Sequence, residues 1–245
     1  DMDMSRIFHT PITDIEELQS DIMNQLKELK KSDKVFIVID SVGNLASRKE
    51  IDDALDGKTV TDMTRAKAMK SLFRMITPHL TLKDIPLVAI NHTYQTLELY
   101  SKAVVSGGTG SYYSSDNIWI IGRQQEKDGD ELVGWNFVIN IEKSRYAKEK
   151  SKIPITVTYE KGIDKWSGFL DNALESGHIS KNTTTKPHKF FLVDQETGEV
   201  GEEGYALKDI PESVWKNLLK DAKFNAFIKD KYSTDTEASL MREED

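Results

Sequence analysis

The residues best placed to do chemistry are Asp40 and Ser41, which directly follow the apolar run Val35–Ile39. A continuous apolar run of this length is typical of a strand buried on both faces of a parallel sheet. Open α/β sheets bind ligands at the carboxyl ends of their strands, where this carboxylate would lie. In a nucleotide-hydrolysing sheet such an aspartate holds Mg²⁺, usually through water, and the next hydroxyl can join the network. An ordinary strand whose aspartate caps the next turn explains the same pattern, so both interpretations stay open.

A second apolar run, Leu87–Ile90, ends in the polar pair Asn91 and His92. This pattern predicts a second buried strand that ends in polar groups. A strand-end histidine satisfied by a neighbour is the plainer explanation of His92. A loop-length segment, residues 93–106, follows and carries Tyr94, Tyr100 and Lys102 before a glycine-rich closure that begins Gly107-Gly108.

A basic segment covers residues 143–152 and includes Lys143 and Arg145. Two cations at positions i and i+2 of a strand share one face, so both can point at the same negative charge. That arrangement suits stabilisation of a phosphoryl transition state. Charge runs are also commonly no more than a solvated face, and the spacing alone leaves that alternative open.

Composition bounds the class of protein that carries these groups. The 245 residues are 38% hydrophobic and 30% charged, which favours a folded domain over disorder. No apolar run approaches 18 residues, so no membrane span is expected, and no signal peptide is visible. The absence of cysteine excludes disulfides and cysteine metal sites. The net charge of −8 gives the whole chain no general affinity for nucleic acid.

Helical patterns surround the first strand. Thr13 and Glu16 match a capping box, and apolar residues then recur at helical spacing as far as about Lys30. A polar segment, residues 47–61, follows the first strand as a functional or disordered loop. The next helix is expected to begin near Met63 and to stop at Pro78.

The second half of the chain predicts mainly strands. Three strands are expected, over Asn117–Gly122, Trp135–Glu142 and Ile153–Glu160, and the clearer alternation of the last two suggests antiparallel pairing. A short helix is expected over residues 167–177. Beyond a polar linker, residues 189–194 and 199–201 predict a hairpin, and one final helix is expected from about Pro211 to Phe227.

In this order, the elements resemble the core of RecA-type strand-exchange recombinases, and most closely the UvsX recombinases of tailed phages. The resemblance runs from about His9 to Lys181. Six blocks carry it: IDSVGNLASRKE, DMTRAKAMKSLFRMITP, AINHT, SGGTGSYYS, IEKSRYAKEKSK and GIDKWSGFLDNALESG.

The resemblance implies roles at the matching positions. Asp40 corresponds to the Walker B aspartate that assists Mg²⁺ and the attacking water, with Ser41 beside it, and His92 stands where the family senses the γ-phosphate. Lys143 and Arg145 match the pair that reaches a neighbouring protomer's ATP. Tyr159 and Gly162 lie where the family contacts the adenine of that nucleotide.

The resemblance also places two DNA-binding loops, at residues 51–62 and 93–106. Single-stranded DNA is bound by backbone N–H groups, a few cations and flat side chains. The first loop is acidic, so its contacts would come from the backbone or from adjacent cations. The DNA-binding candidates are Arg65, Lys67, Tyr94, Tyr100, Lys102, Gly107 and Gly108.

The implied fold is α/β: a RecA-like P-loop ATPase core with a twisted, mostly parallel sheet, antiparallel edge strands and a small C-terminal α/β appendage. We expect the core over residues 1–181, the appendage over 182–232 and a disordered acidic tail over 233–245. That tail is a candidate for restraining access to DNA or docking a basic partner.

The implied function is homologous pairing and strand exchange in a helical filament on single-stranded DNA, with ATP and Mg²⁺ as cofactors. Homologous duplex DNA and further copies of the chain are the implied partners, with a single-strand-binding protein and a loading mediator as candidates. The implied location is the cytoplasm of a bacterial host.

The sequence departs from the family in one respect. It contains no G-x-x-x-x-G-K-[ST] motif, so nothing in it is expected to cradle the β-phosphate. We therefore expect either the C-terminal part of a longer protein, inactive alone, or a relative that has lost its ATPase half. The alternatives are a hexameric helicase of the same fold and a non-catalytic interaction module.

Overall fold

The computed structural model describes residues 3–58, 63–95, 103–106, 109–184 and 186–234. The chain divides into two compact units, residues 1–115 and 116–245. The division expected from the sequence, with boundaries at residues 181 and 232, stays a prediction. Most of the acidic tail, residues 235–245, lies outside the described residues.

The first unit is a mixed α/β unit. Its helices are α1 (Ile15–Glu28), α2 (Arg48–Leu55), α3 (Met63–Lys83) and α4 (Thr109–Ser114). Its strands are β1 (Ile37–Ile39), β2 (Leu87–Ala89), β3 (Thr93–Gln95) and β4 (Ala103–Val105). β1 and β2 pair in parallel, and β3 and β4 form an antiparallel pair.

α1 begins one residue later than the sequence pattern suggested. Its N-cap is Asp14, whose carboxylate accepts the backbone N–H of Glu17 at 2.7 Å. The Glu17 carboxylate in turn accepts the backbone N–H of Thr13 at 2.9 Å. The expected box of Thr13 and Glu16 is therefore wrong, because Asp14 is the N-cap and Glu17, rather than Glu16, reaches back to the backbone N–H of Thr13.

The core of the first unit lies between α1, α3 and the β1–β2 pair. α3 does not stop at Pro78, which lies inside the helix. Apolar residues on both sides of Pro78 continue to face the core, so burial of that face outweighs the backbone hydrogen bond that proline removes. The buried apolar residues of this core are Ile15, Leu18, Ile22, Leu26, Ile39, Val42, Met69, Leu72, Phe73, Ile76 and Ile85.

Part of the segment expected to be a polar loop is helical. Ser47 accepts the backbone N–H of Glu50, and the Glu50 carboxylate accepts the backbone N–H of Ser47, which completes a capping box at the start of α2. The prediction of a single loop over residues 47–61 is therefore wrong, and the spacing of Ser47 and Glu50 is the pattern in the sequence that marks the start of α2. Residues 59–62 lie outside the described residues.

β1 is not buried on both faces. Ile39 is buried, whereas Phe36 is 58% and Val38 is 55% exposed. Strand side chains alternate between two faces, and here only one of them packs on the helices. Within the described ranges, β1 and β2 are also the only named strands that pair in parallel, so the mostly parallel sheet expected from the sequence is reduced to this pair.

The second unit is dominated by antiparallel pairing. One sheet has the order β5 (Asn117–Asp128), β6 (Glu131–Ser144), β7 (Lys152–Thr158) and β8 (Gly162–Ile163). The other has the order β11 (Val200–Tyr205), β10 (Lys189–Val193) and β9 (Ile179–Asn182). The helices are α5 (Phe169–Glu175), α6 (Glu212–Leu218) and α7 (Ala222–Tyr232). All three strands expected here are confirmed, and so is the antiparallel pairing expected of the last two; the first two strands are longer than predicted.

The hairpin expected near residues 189–201 is confirmed as β10 and β11. The single final helix is wrong, because α6 ends at Leu218 and Asp221 caps the separate helix α7, accepting the backbone N–H of Phe224. The apolar residues of α5, α6 and α7 enclose a second core around Phe190, Trp215 and Phe224. None of the described helices is both long and apolar enough to cross a membrane.

Candidate functional site

The two polar strand ends lie at the same edge of the parallel pair. β1 and β2 are in register, with Ile39 opposite Ala89. Beyond the strands, the backbone N–H of Val42 donates to the carbonyl of Ile90 at 3.0 Å. This bond brings the turn that follows Asp40 alongside the residues that lead into His92, as happens where parallel strands end at one edge of a sheet.

Asp40 and Ser41 can contribute to a Mg²⁺ site without completing one. Asp40 is exposed and joined to Ser41 by a cis peptide bond. The Ser41 hydroxyl is buried and has no hydrogen-bond partner among the described residues. No cluster of three acidic or histidine ligands occurs in the described part of the chain. Mg²⁺ commonly takes one or two carboxylates and completes its shell with water and substrate phosphates, so the two residues fit that role.

His92 packs over the turn that follows Ser41. Its Nε2 lies 3.1 Å from the side-chain oxygen of Asn44. At Gly43 an added Cβ would stand only 2.3 Å from the His92 ring carbon Cδ2. The position of the imidazole therefore requires glycine at residue 43. The 3₁₀ turn Val42–Asn44, which follows Asp40 and Ser41, is the segment that His92 contacts.

Asn91 and His92 connect this edge to the β3–β4 hairpin. The Asn91 amide donates to the Ser106 carbonyl at 2.7 Å, and the backbone N–H of Ser106 donates to the His92 carbonyl at 2.9 Å. The side-chain oxygen of Asn91 accepts the backbone N–H of His92 at 2.9 Å. The two ends of the hairpin are thus fastened beside the histidine, and its strands bracket residues 96–102.

The two cations at the start of α3 have different surroundings. Lys67 is exposed. Arg65 is half-buried, and its guanidinium donates to the carbonyls of Val42, Gly43 and Leu45. A DNA contact at either residue stays a prediction, but only Lys67 presents its charge to solvent.

The remaining DNA candidates divide between described and undescribed residues. Tyr94 is 56% exposed in β3, which suits a base-stacking side chain. Tyr100, Lys102, Gly107 and Gly108 lie outside the described residues, so their predicted roles remain expectations from the sequence.

The second unit carries the cations expected to act on a neighbouring protomer. Lys143 lies in β6 opposite Ile118, whereas Arg145 lies just beyond the strand, which ends at Ser144. The strand alternation used to place both on one face therefore does not extend to Arg145. Its Nε pairs with the Asp116 carboxylate at 3.1 Å, an exposed pair that is readily exchanged for another anion in water.

Tyr159 and Gly162 flank the turn between β7 and β8. Tyr159 is 67% exposed, and its hydroxyl accepts the indole N–H of Trp135 at 3.1 Å. Arg123 lies over the same indole, 4.6 Å from the ring centroid. Gly162 has φ +70° and open space where a Cβ would be, so it supplies the left-handed turn. An exposed ring beside an uncrowded glycine suits a planar ligand such as adenine.

Sequence reasoning missed several residues that build these sites. Gly43 and Asn44 stand within the first quoted block, immediately after Asp40-Ser41, but their contacts with His92 could not be read from it. Ser106 precedes the glycine-rich closure and gave no signal of its own. Trp135 was treated only as a strand residue.

Comparison with known proteins shows similarity over most of the chain. Residues 9–164 match the RecA N-terminal domain family. The "Recombination and repair protein" of Enterobacteria phage T4 is 49% identical over 234 residues, which cover 94% of this chain and 60% of that protein.

More distant similarity extends to bacterial proteins. "Protein RecA" of Nocardioides sp. is 26% identical over 149 residues, covering 60% of this chain and 42% of that protein. "Protein RecA" of Fusobacterium nucleatum is 25% identical over 192 residues, covering 77% of this chain and 49% of that protein. The chain thus spans about two fifths to three fifths of the length of these relatives.

Proposed function

This chain belongs to the RecA family, and from that membership we propose that it forms part of an ATP-dependent DNA recombinase. The proposed activity is pairing of single-stranded DNA with a homologous duplex, followed by strand exchange, in a filament of many copies. The proposed setting is a bacterial cell infected by the phage that encodes it, with a single-strand-binding protein and a loading mediator as further partners.

The observation that best supports this proposal is that the candidate Mg²⁺ residues, the candidate phosphate sensor and the β3–β4 hairpin all lie at one edge of the β1–β2 pair. Asp40 and Ser41 follow β1, His92 follows β2, and the β3–β4 hairpin begins at the next residue and returns to Ser106 beside His92. A group that responds to phosphate at this edge therefore adjoins the segment proposed to bind DNA. A recombinase controlled by ATP requires such a connection.

Asp40 and Ser41 would hold Mg²⁺ from one side, with ATP phosphates as its other ligands. The ion would neutralise charge that develops on the transferred phosphoryl group. His92 would contact the terminal phosphate, with its ring oriented by Asn44 at Nε2. The β-phosphate would be held by residues outside this sequence.

Lys143 and Arg145 would serve an ATP bound to the adjacent copy in the filament. An arginine supplied in trans stabilises transition-state charge on the phosphoryl oxygens. Tyr159 and Gly162 would receive the adenine of that nucleotide. The side chains of Arg145 and Tyr159 are exposed, which supports contact with a nucleotide bound to another copy of the chain.

Strand exchange by the full-length gene product tests the proposal. With ATP and Mg²⁺, it should convert circular single-stranded DNA and homologous linear duplex into joint molecules. Asp40→Asn should lower DNA-stimulated ATP hydrolysis by about two orders of magnitude while the circular dichroism melting curve is retained. Asp84→Asn is the matched control, because it removes a charge from an exposed ion pair with Lys31 in the same unit.

Two outcomes would count against the proposal. Failure of the unaltered protein to form joint molecules would reject the recombinase assignment. Normal hydrolysis by the Asp40→Asn protein would reject the Mg²⁺ role of Asp40 while leaving the recombinase assignment in place.

A further inference from the structure

Arg65 is bound to the two structural features that a nucleotide-controlled DNA site would have to connect. Its Nε donates to the Leu45 carbonyl at 2.8 Å, and its Nη2 donates to the carbonyls of Val42 and Gly43 at 3.0 and 2.9 Å. Its Nη1 lies 3.4 Å from the Ser106 hydroxyl. One guanidinium thus spans the turn after Asp40-Ser41 and the end of the β3–β4 hairpin.

These contacts occupy most of the donors of the side chain. A guanidinium has five N–H groups arranged as a rigid planar fork, and Arg65 directs them at four acceptors within the first unit. A contact with a DNA phosphate would have to replace some of these bonds. Because three of the acceptors are backbone carbonyls between residues 42 and 45, losing the fork would remove three hydrogen bonds from this turn at once.

The turn and Ser106 are also joined by a second route. His92 contacts the turn through Asn44 and rests on Gly43, while Asn91 and the His92 carbonyl hold Ser106. The contacts therefore form a closed network: the turn contacts His92, His92 and Asn91 bind Ser106, and the Arg65 guanidinium contacts both Ser106 and the turn. Through these contacts Arg65 links Ser106 to the same turn that His92 contacts.

We propose that Arg65 is a positioning residue that couples the nucleotide edge at Asp40 and His92 to the DNA-binding segment that ends at Ser106. The inference rests on the proposed function, because it assigns the nucleotide to that edge and DNA to residues 96–102. It replaces the expectation that Arg65 contacts DNA. The planar fork, rather than the positive charge, is the property that the role requires.

The test compares Arg65→Lys and Arg65→Ala in the full-length gene product. Two quantities are measured: the ratio of ATP hydrolysis with saturating single-stranded DNA to hydrolysis without it, and the slope of log affinity for that DNA against log salt concentration. We expect both variants to lose the DNA-stimulated ratio by about tenfold or more, since lysine cannot reproduce the fork. We expect the salt slope to stay at its unaltered value, because no phosphate contact is lost.

Arg74→Lys and Arg74→Ala are the matched controls, since Arg74 is an exposed arginine on the same helix. They should keep the DNA-stimulated ratio of the unaltered protein. Ser106→Ala is a second variant, which removes only the contact between the Arg65 guanidinium and the Ser106 hydroxyl. It should lower the DNA-stimulated ratio in a protein that still folds. If Arg65→Ala does not fold, Arg65→Lys and Ser106→Ala carry the comparison.

The outcomes separate the coupling from the proposed function. A salt slope that becomes shallower by about 0.7 in Arg65→Ala and is restored by Arg65→Lys would identify a phosphate contact and overturn the inference. An unchanged stimulated ratio in Arg65→Lys and Ser106→Ala would overturn it as well. Absence of DNA-stimulated hydrolysis in the unaltered protein would instead reject the proposed function, on which the coupling depends.

Discussion

The imidazole of His92 lies directly against Gly43, so closely that a Cβ at residue 43 would stand 2.3 Å from the ring carbon Cδ2. This contact joins the polar ends of the two parallel strands. It makes the position of the proposed phosphate sensor depend on the backbone that follows Asp40-Ser41. The same turn accepts three hydrogen bonds from Arg65.

Gly43→Ala should displace His92 without removing a polar group. The added methyl would overlap the imidazole and approach the Asn91 side-chain oxygen at 3.2 Å. Overpacking of this kind costs about 1–3 kcal/mol of folding free energy. We expect a lower midpoint in urea denaturation and a marked shift of the His92 ring signals in NMR spectra.

Gly122→Ala is the control for that change, because a Cβ at residue 122 would have nothing within 4 Å. It should leave both measurements close to those of the unaltered chain. If His92 signals stay in place in the Gly43→Ala protein, the close contact between the ring and the turn does not exist in solution.

Arg145→Ala and Asp40→Asn should complement each other in mixed filaments of the full-length gene product. Each variant alone is expected to lack DNA-stimulated ATP hydrolysis, because every interface misses one of the two groups. In an equal mixture, about a quarter of the interfaces would combine an intact Asp40 on one copy with an intact Arg145 on the next. ATP hydrolysis measured across mixing ratios should therefore be greatest near equal amounts, and a flat response would place both residues in the same protomer's site.

Lys67→Ala should weaken binding of single-stranded DNA to the full-length gene product. Lys67 is exposed, and each lost phosphate contact should make the slope of log affinity against log salt shallower by about 0.7. Lys102→Ala should have the same effect if the segment that contains it also lies along the DNA. Fluorescence anisotropy of a labelled oligonucleotide at several salt concentrations measures the slope.

Lys27→Ala is the control for these lysine variants, since Lys27 is exposed on α1 of the same unit and contacts Asn24. It removes the same charge from a helix that has no proposed part in DNA binding. A slope that falls equally in all three variants would reflect net charge and would remove Lys67 and Lys102 from the DNA path.

The second unit should lose stability in acid through Asp221. Its carboxylate accepts the backbone N–H of Phe224 at 2.7 Å and lies 3.2 Å from His178 Nε2. The Phe224 hydrogen bond, assisted by His178 and opposed by burial, holds the pKa of Asp221 below its usual 3.8. A depressed carboxylate pKa stabilises the folded state fully above pH 3.8 and loses that effect as pH falls through the folded value.

Asp221→Asn keeps an N-cap side chain while removing this titration. We expect it to be less stable than the unaltered chain at neutral pH by about 0.3–1 kcal/mol, the usual value of a charge at a helix N-terminus. Urea denaturation should show the difference shrinking near pH 3. A difference that persists unchanged in acid would contradict the assignment to Asp221.

The sequence determined much of this protein through local and linear signals. Continuous apolar runs that end in Asp40 and in Asn91-His92 identified the two strands whose ends form the candidate site, although the burial of both faces that such a run predicts was wrong for β1. The ordered blocks between His9 and Lys181 identified the RecA family, which the similarity of residues 9–164 confirms. Helical spacing likewise predicted α1 and the beginning of α3.

Tertiary structure alone decided how the polar side chains are used. Arg65 had the same pattern as other cations of its helix, yet it donates to carbonyls more than 20 residues earlier in the chain and lies beside Ser106 about 40 residues later. The contact between Gly43 and His92 and the continuation of α3 past Pro78 likewise depend on neighbours distant in sequence. Periodicity records which face of an element is buried, whereas the partner of a polar group is fixed only when distant segments meet.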